Sequence, residues 1–205
     1  LPTYLSAEEA NVVPTEHELD PTTAHPLFMI HRVSCDIEQL DRVLYHLDQQ
    51  DLFGAYDRYD RQYTKDLAAY QARTASELEW EIELDATLPV SVHYTEFLIG
   101  GLRWMPPTDI DGAGPAADNP VILDRTWMTK PSVFENPAKT FDQDFQMEVW
   151  YVGDDGDIVH LIAIWRDLDL GAGFNSGDAL VQQTTLSGLE SWDRDIEKLC
   201  EEGRP

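Results

Sequence analysis

The densest set of recognition-type side chains lies between positions 56 and 70. On a helical projection Tyr56, Tyr59, Tyr63 and Tyr70 share one side, while Arg58, Arg61 and Lys65 share another. Tyrosine and arginine bury large area yet keep a polar end, which suits them to protein interfaces. Three of the 14 Lys and Arg of the chain are concentrated here. These seven residues are the candidate interaction surface. They also suit packing on a sheet, with the cations paired to Asp57, Asp60 and Asp66 at helical spacing, and the sequence leaves both readings open.

Other groupings are weaker. Asp109-Ile110-Asp111-Gly112-Ala113-Gly114 begins like a calcium loop, but its fifth position is Ala113 and its twelfth is Pro120 rather than Glu. Gly171-Ala172-Gly173-Phe174-Asn175-Ser176-Gly177 approaches a dinucleotide fingerprint, but Ser176 replaces the last glycine and the nearby charge is negative. No G-x-S-x-G, H-E-x-x-H, C-x-x-C or P-loop pattern occurs. Six histidines are scattered along the chain. His93, Tyr94 and Glu96 on one strand, with His160 on a neighbour, are placed to line a pocket, yet they read more simply as ordinary strand residues. Cys35 and Cys200 read as free, buried thiols rather than as a disulfide. The expectation is a non-catalytic chain with no metal and no cofactor.

Composition excludes further classes. The 205 residues carry 14 Lys and Arg against 39 Asp and Glu, a net charge of −25. Such a surface repels phosphate backbones and anionic headgroups, so neither nucleic acid nor membrane is an expected partner. High charge is also a mark of disorder, but Leu, Ile, Val and Phe make up 51 of the 205 residues, above the disordered range of roughly one-fifth. Only four lysines are present, and Asp outnumbers Glu 23 to 16. At molar salt the Debye length is about 3 Å and self-repulsion is nearly removed. The composition is similar to that of proteins from haloarchaea; an acidic protein of a high-GC bacterium or its phage is the alternative. No apolar run approaches the roughly 18–20 residues that span a bilayer, and no signal peptide is visible, so the expected location is the cytoplasm or a virion of a halophilic host.

These groups need elements to hold them. Residues 1–26 carry Pro2, Pro14, Pro21 and Pro26, five acids and no Lys or Arg; they predict an extended arm, disordered or laid on a neighbouring subunit. Residues 27–205 predict one α+β domain. Leu27–Val33 predicts a strand. Asp36 and Gln39 form a capping box before Ile37, Leu40, Val43, Leu44 and Leu47 at helical spacing. The apolar stripe from Leu52 to Tyr70 predicts a second helix, rotated against the first. From Glu77 the period becomes two: Leu78, Trp80, Ile82 and Leu84 alternate with Glu77, Glu79, Glu81 and Glu83, a strand with one buried face and one acidic face. Further strands are expected at 90–99, 121–129, 144–152 and 158–166, the last two joined by a Gly153–Asp157 turn. Thr-rich 179–186 reads as one more strand. Ser187 and Glu190 then cap a short final helix ending before Gly203. Long loops at 106–120 and 167–178 interrupt the sheet.

The total is α+β: an antiparallel sheet of about six strands, two N-terminal helices and a C-terminal helix, after an arm. Over residues 27–202 this order is similar to that of helix-grip (Bet v 1/START-like) domains. That resemblance implies an enclosed apolar cavity for lipids or polyketides, hence a small-ligand-binding or cyclase-like protein. The leading expectation is different: a structural or assembly protein whose partners are other protein subunits, such as a capsid, neck or tail component of a virion. The arm, the loops, the Tyr/Arg set and the lack of a catalytic motif motivate it.

Overall fold

The alternation that begins at Glu77 lies in the middle of a long meander. The computed structural model describes residues 15, 19–20, 22–54, 56–88, 92–107 and 118–205. The elements are β1 (His25–Val33), α1 (Ile37–Leu44), α2 (Gln49–Leu52), β2 (Arg58–Tyr63), α3 (Leu67–Gln71), β3 (Glu77–Leu88), β4 (Val92–Met105), β5 (Val121–Phe134), β6 (Thr140–Val152), β7 (Ile158–Asp169) and α4 (Ala179–Glu201). The strands form one antiparallel sheet of seven in the order β1-β7-β6-β5-β4-β3-β2. The fold is thus the expected α+β class with one strand more.

Strands β2 to β7 each pair with the next in sequence, β2 and β3 across a connection that holds α3, and β1 pairs with β7. Side chains alternate between an inner face, toward the helices, and an outer face. One row of the inner face runs Trp104, Ile122, Trp150, His160, His31 across five strands. The next row runs Leu102, Asp124, Glu148, Ile162, Met29. Leu78, Trp80, Ile82 and Leu84 are buried on the inner face. Opposite them the Glu77–Glu83 side meets solvent, as the alternation predicts. Irregular register at Thr95–Leu98 and at Phe141–Gln143 marks bulges in β4/β5 and β6/β7, which bend strands. The Gly153–Asp157 turn forms as expected.

The second helical stripe is corrected. Arg58–Tyr63 is strand β2, paired with β3, and helix is confined to Leu52 at the end of α2 and to Leu67–Gln71. Tyr59, Arg61 and Tyr63 pair with Leu84, Ile82 and Trp80 and face inward with them. A cation on the buried face disguised the period of two. Arg61 lies over the Trp80 ring at 4.1 Å and donates to Leu44 O at 2.8 Å and His46 O at 3.1 Å. It caps the end of α1 while the face of the Trp80 indole attracts its charge.

The C-terminal region is corrected too. Residues 179–186 are helix, not strand, because Asp178 caps a single 23-residue α4 by accepting from the backbone N–H groups of Leu180 and Val181. Ser187 lies inside the helix. All three fully buried residues of α4 (Asp193, Ile196 and Leu199) lie in its second half. The first half rests on the sheet through half-buried Val181, Leu186 and Leu189. The cysteines are likewise not free: a Cys35–Cys200 disulfide ties the β1–α1 connection to the last turn of α4. Their separation of 165 residues hid a pairing that only the fold creates. Most of the 106–120 loop, including the calcium-like segment, and most of the 1–26 arm lie outside the described residues. Of the arm's described residues, Asp20 and Thr23 accept hydrogen bonds from Gln143 of β6 at 2.9 Å.

Candidate functional site: a cavity under the first half of α4

The first half of α4 does not close fully onto the sheet. Between them lies a cavity of about 460 Å³. Its floor is Tyr94 from β4, Phe141 from β6, and Arg166 and Leu168 from β7. Lys139, Leu170 and Phe174 form one side, and Leu180, Val181, Thr184 and Thr185 of α4 form the roof. A space of this size with apolar walls and few polar groups is typical of small-molecule sites. The glycine-rich segment that resembles a dinucleotide fingerprint is part of its rim. Gly171, Ala172 and Gly173 adopt φ of +76°, +55° and +86°. That run of left-handed residues turns the chain from β7 toward α4 and projects Phe174, 46% exposed, at the mouth.

The floor is polar at its deepest part. Arg166 holds Asp144 in a two-point contact: Nε donates to Oδ1 at 3.2 Å and Nη2 to Oδ2 at 3.1 Å. Asp144 is 3% exposed at its side chain. Burial is the main force raising the Glu96 carboxyl to about 8, and the charge of Asp144 adds to it. Glu96 is therefore a neutral acid near pH 7. Its buried Oε1 has no hydrogen-bond partner among the described residues. Burial also pushes the Tyr94 hydroxyl up, so it stays protonated. The Tyr94 ring stacks on Phe134 at 5.4 Å and meets Phe141 edge-on at 6.1 Å.

A second buried polar cluster lies further along the inner face. His160 is fully buried and donates from Nδ1 to Asp193 Oδ1 of α4 at 2.9 Å and from Nε2 to Glu148 Oε2 at 3.0 Å. Burial works to lower its pKa, but the hydrogen bonds and charges of Asp193 and Glu148 together outweigh it and hold the ring up to about 9. It is an imidazolium between two carboxylates. His31 Nδ1 approaches Asp193 Oδ2 at 3.1 Å, an ion-pair distance without hydrogen-bond geometry. Asp124, the cross-strand neighbour of Glu148, is pushed well above the usual carboxylate range by burial first and by the Glu148 charge second.

The seven candidate interaction residues separate into two groups. Arg58 and Lys65 face outward. Arg58 pairs with Asp60, with Glu83 at 2.6 Å and with Asp85 at 2.7 Å, and Lys65 with Glu77 at 2.8 Å. Tyr59, Arg61 and Tyr63 point inward, with Tyr56 against Tyr59 at 4.9 Å. Tyr63 donates to Tyr45 O. Tyr70, fully buried, donates to Asp41 Oδ1 at 2.7 Å. Of the expected strand residues, Tyr94 lines the cavity and Glu96 is buried, while exposed His93 bonds Thr87 at 2.7 Å. Sequence reasoning missed Arg166 and Asp144. The available signal was an acid on β6 and a cation on β7 that come to oppose each other once the strands pair.

No known family profile matches the chain, and no curated protein resembles it in sequence. Solved structures do resemble it in shape. A START superfamily protein from Mycobacterium smegmatis superposes with a TM-score of 0.52 at 11% identity, over 87% of this chain and 98% of that one. A dicamba monooxygenase bound to 3,6-dichlorosalicylic acid gives 0.52 at 8% identity, over 88% of this chain and 49% of that one. The structure of Ara h 8.0201 gives 0.47 at 9% identity, over 87% and 99%. At such identities the likeness is one of fold, and the fold is START-like: an antiparallel sheet gripping a long C-terminal helix.

Proposed function

We propose that this chain is a small-ligand-binding protein that holds a largely apolar molecule between its sheet and the first half of α4. The observation that carries the reading is the cavity of about 460 Å³ with apolar walls and Arg166 in its floor, backed by the buried Asp144. Buried polar groups normally find partners. Arg166 lines the cavity and carries N–H groups beyond the two it gives to Asp144, which supports a bound molecule that supplies hydrogen-bond acceptors. The START-like fold agrees with this reading at the level of architecture alone. The assembly reading drawn from composition, a virion subunit of a high-salt host, has no comparable supporting observation. No helix among the described residues is long and apolar enough to cross a membrane.

The test is titration with a neutral fluorescent probe, N-phenyl-1-naphthylamine. One saturable site is expected, and it is lost in Val181→Trp, which fills the roof without touching the polar floor. Absence of saturable binding, or equal binding by Val181→Trp, overturns the proposal.

A further inference from the structure

The cavity has a charge character opposite to that of the rest of the molecule. The chain has 39 acids to 14 Lys and Arg, yet the side chains bordering this space include two cations, Arg166 and Lys139, and no carboxylate. Both have donors to offer. Arg166 directs two N–H groups to Asp144, and its guanidinium carries three more. Lys139 Nζ donates to Leu170 O at 3.0 Å and has two further N–H groups. Arg166 sits at the floor and Lys139 at the side, with the Phe141 ring beneath the guanidinium at 5.8 Å.

We infer that the ligand of this cavity is an amphipathic monocarboxylate: an apolar body under Val181 and Leu168, with its carboxylate between Arg166 and Lys139. A single negative charge is favoured over a double one because Asp144 lies buried directly behind Arg166 and already offsets its charge. With Glu96 neutral, the floor and side together carry one net positive charge, enough for one carboxylate and too little for a phosphate dianion. Desolvated charge-assisted hydrogen bonds to a guanidinium fork are strong and selective for planar carboxylates.

The inference rests on the cavity being a ligand site, and the experiment separates the two. Calorimetric titrations use decanoate, decanol and decyl phosphate, each at low salt and at 1 M salt, where long-range repulsion from the acidic surface is screened to about 3 Å. Decanoate is expected to bind at least tenfold more tightly than decanol or decyl phosphate, and to retain that preference at 1 M salt. Lys139→Met, which removes a charge from a half-buried side position, is expected to weaken decanoate about tenfold and leave decanol unchanged. Because Arg166→Gln alone strands a buried Asp144, the floor is tested with the double variant Arg166→Gln/Asp144→Asn, which is expected to erase the preference for decanoate. Equal binding of decanoate and decanol, or a preference that survives both variants, overturns the carboxylate inference and leaves the cavity reading standing. Tighter binding of decyl phosphate overturns the single-charge argument. Binding of none of the three overturns both readings.

Discussion

His160 lies flat against Trp150, with ring centroids 3.5 Å apart and planes 4° from parallel. The same imidazole bonds Glu148 on β6 and Asp193 on α4. One residue of β7 therefore joins two strands and the long helix through a stack and two charge-assisted hydrogen bonds.

This arrangement makes stability pH-dependent on the alkaline side. The folded pKa of His160, about 9, lies above its ordinary 6.5. Its contribution is fully present below pH 6.5 and is lost as pH rises through about 9. A shift of this size corresponds to on the order of 3 kcal/mol. Urea midpoints of the native protein are expected to fall across that window. Those of His160→Gln are expected to start lower and to change less. A parallel fall in both proteins would rule His160 out as the source.

Glu96 acts in an overlapping window. Its folded pKa of about 8 exceeds its ordinary 4.5, so folding favours the protonated form and loses that advantage as pH rises from 4.5 to 8. Glu96→Gln keeps the shape without the ionisation. The variant is expected to match the native protein near pH 4.5 and to exceed it by a few kcal/mol at pH 8. Thermal melts at the two pH values measure the difference, and equal differences at both would refute the assignment. A bound ligand that hydrogen-bonds Glu96 is expected to shrink the gain.

The disulfide gives a third outcome. Closing a loop of 165 residues corresponds to roughly 5 kcal/mol in the chain-entropy treatment, with measured values commonly 2–4. Cys35→Ser/Cys200→Ser is expected to lower the denaturation midpoint accordingly. It is also expected to make the last turns of α4 the first site of limited proteolysis. A variant as stable as the native protein would show that Asp193, Ile196 and Leu199 suffice to dock the helix.

Much of the fold is legible in the sequence wherever one face of an element is uniformly apolar. Leu78 to Leu84 against the glutamate ladder identifies β3, and Asp36 identifies the start of α1, where it accepts from Glu38 N and Gln39 N. Legibility fails where a polar side chain faces inward. Arg61 on β2, Asp124 and Glu148 on the central strands and Asp193 on α4 all break the apolar pattern. Three of them are held by partners remote in sequence, Glu148 and Asp193 by His160 and Arg61 by Leu44 O. The cavity was illegible for the same reason. Its floor brings together Tyr94, Phe141 and Arg166 from three strands, and its roof comes from a segment whose threonines suggest a strand. Those threonines are tolerated in α4 because Thr184 and Thr185 turn their hydroxyls back to the carbonyls of Leu180 and Val181.

The long helix is clamped at one end only. The Cys35–Cys200 bond, the buried Asp193 and the apolar pair Ile196 and Leu199 fix its C-terminal half, while the half above the cavity is held by half-buried contacts and an N-cap. Mechanically, α4 is a cantilever. Movement of its N-terminal half would leave the sheet ladder, the disulfide and the His160 junction intact. Loading and release thus have an energy scale separate from that of global unfolding. Amide exchange along α4 is expected to follow this gradient, fast from Ala179 and slowing toward Leu199, and a bound ligand is expected to slow the fast end.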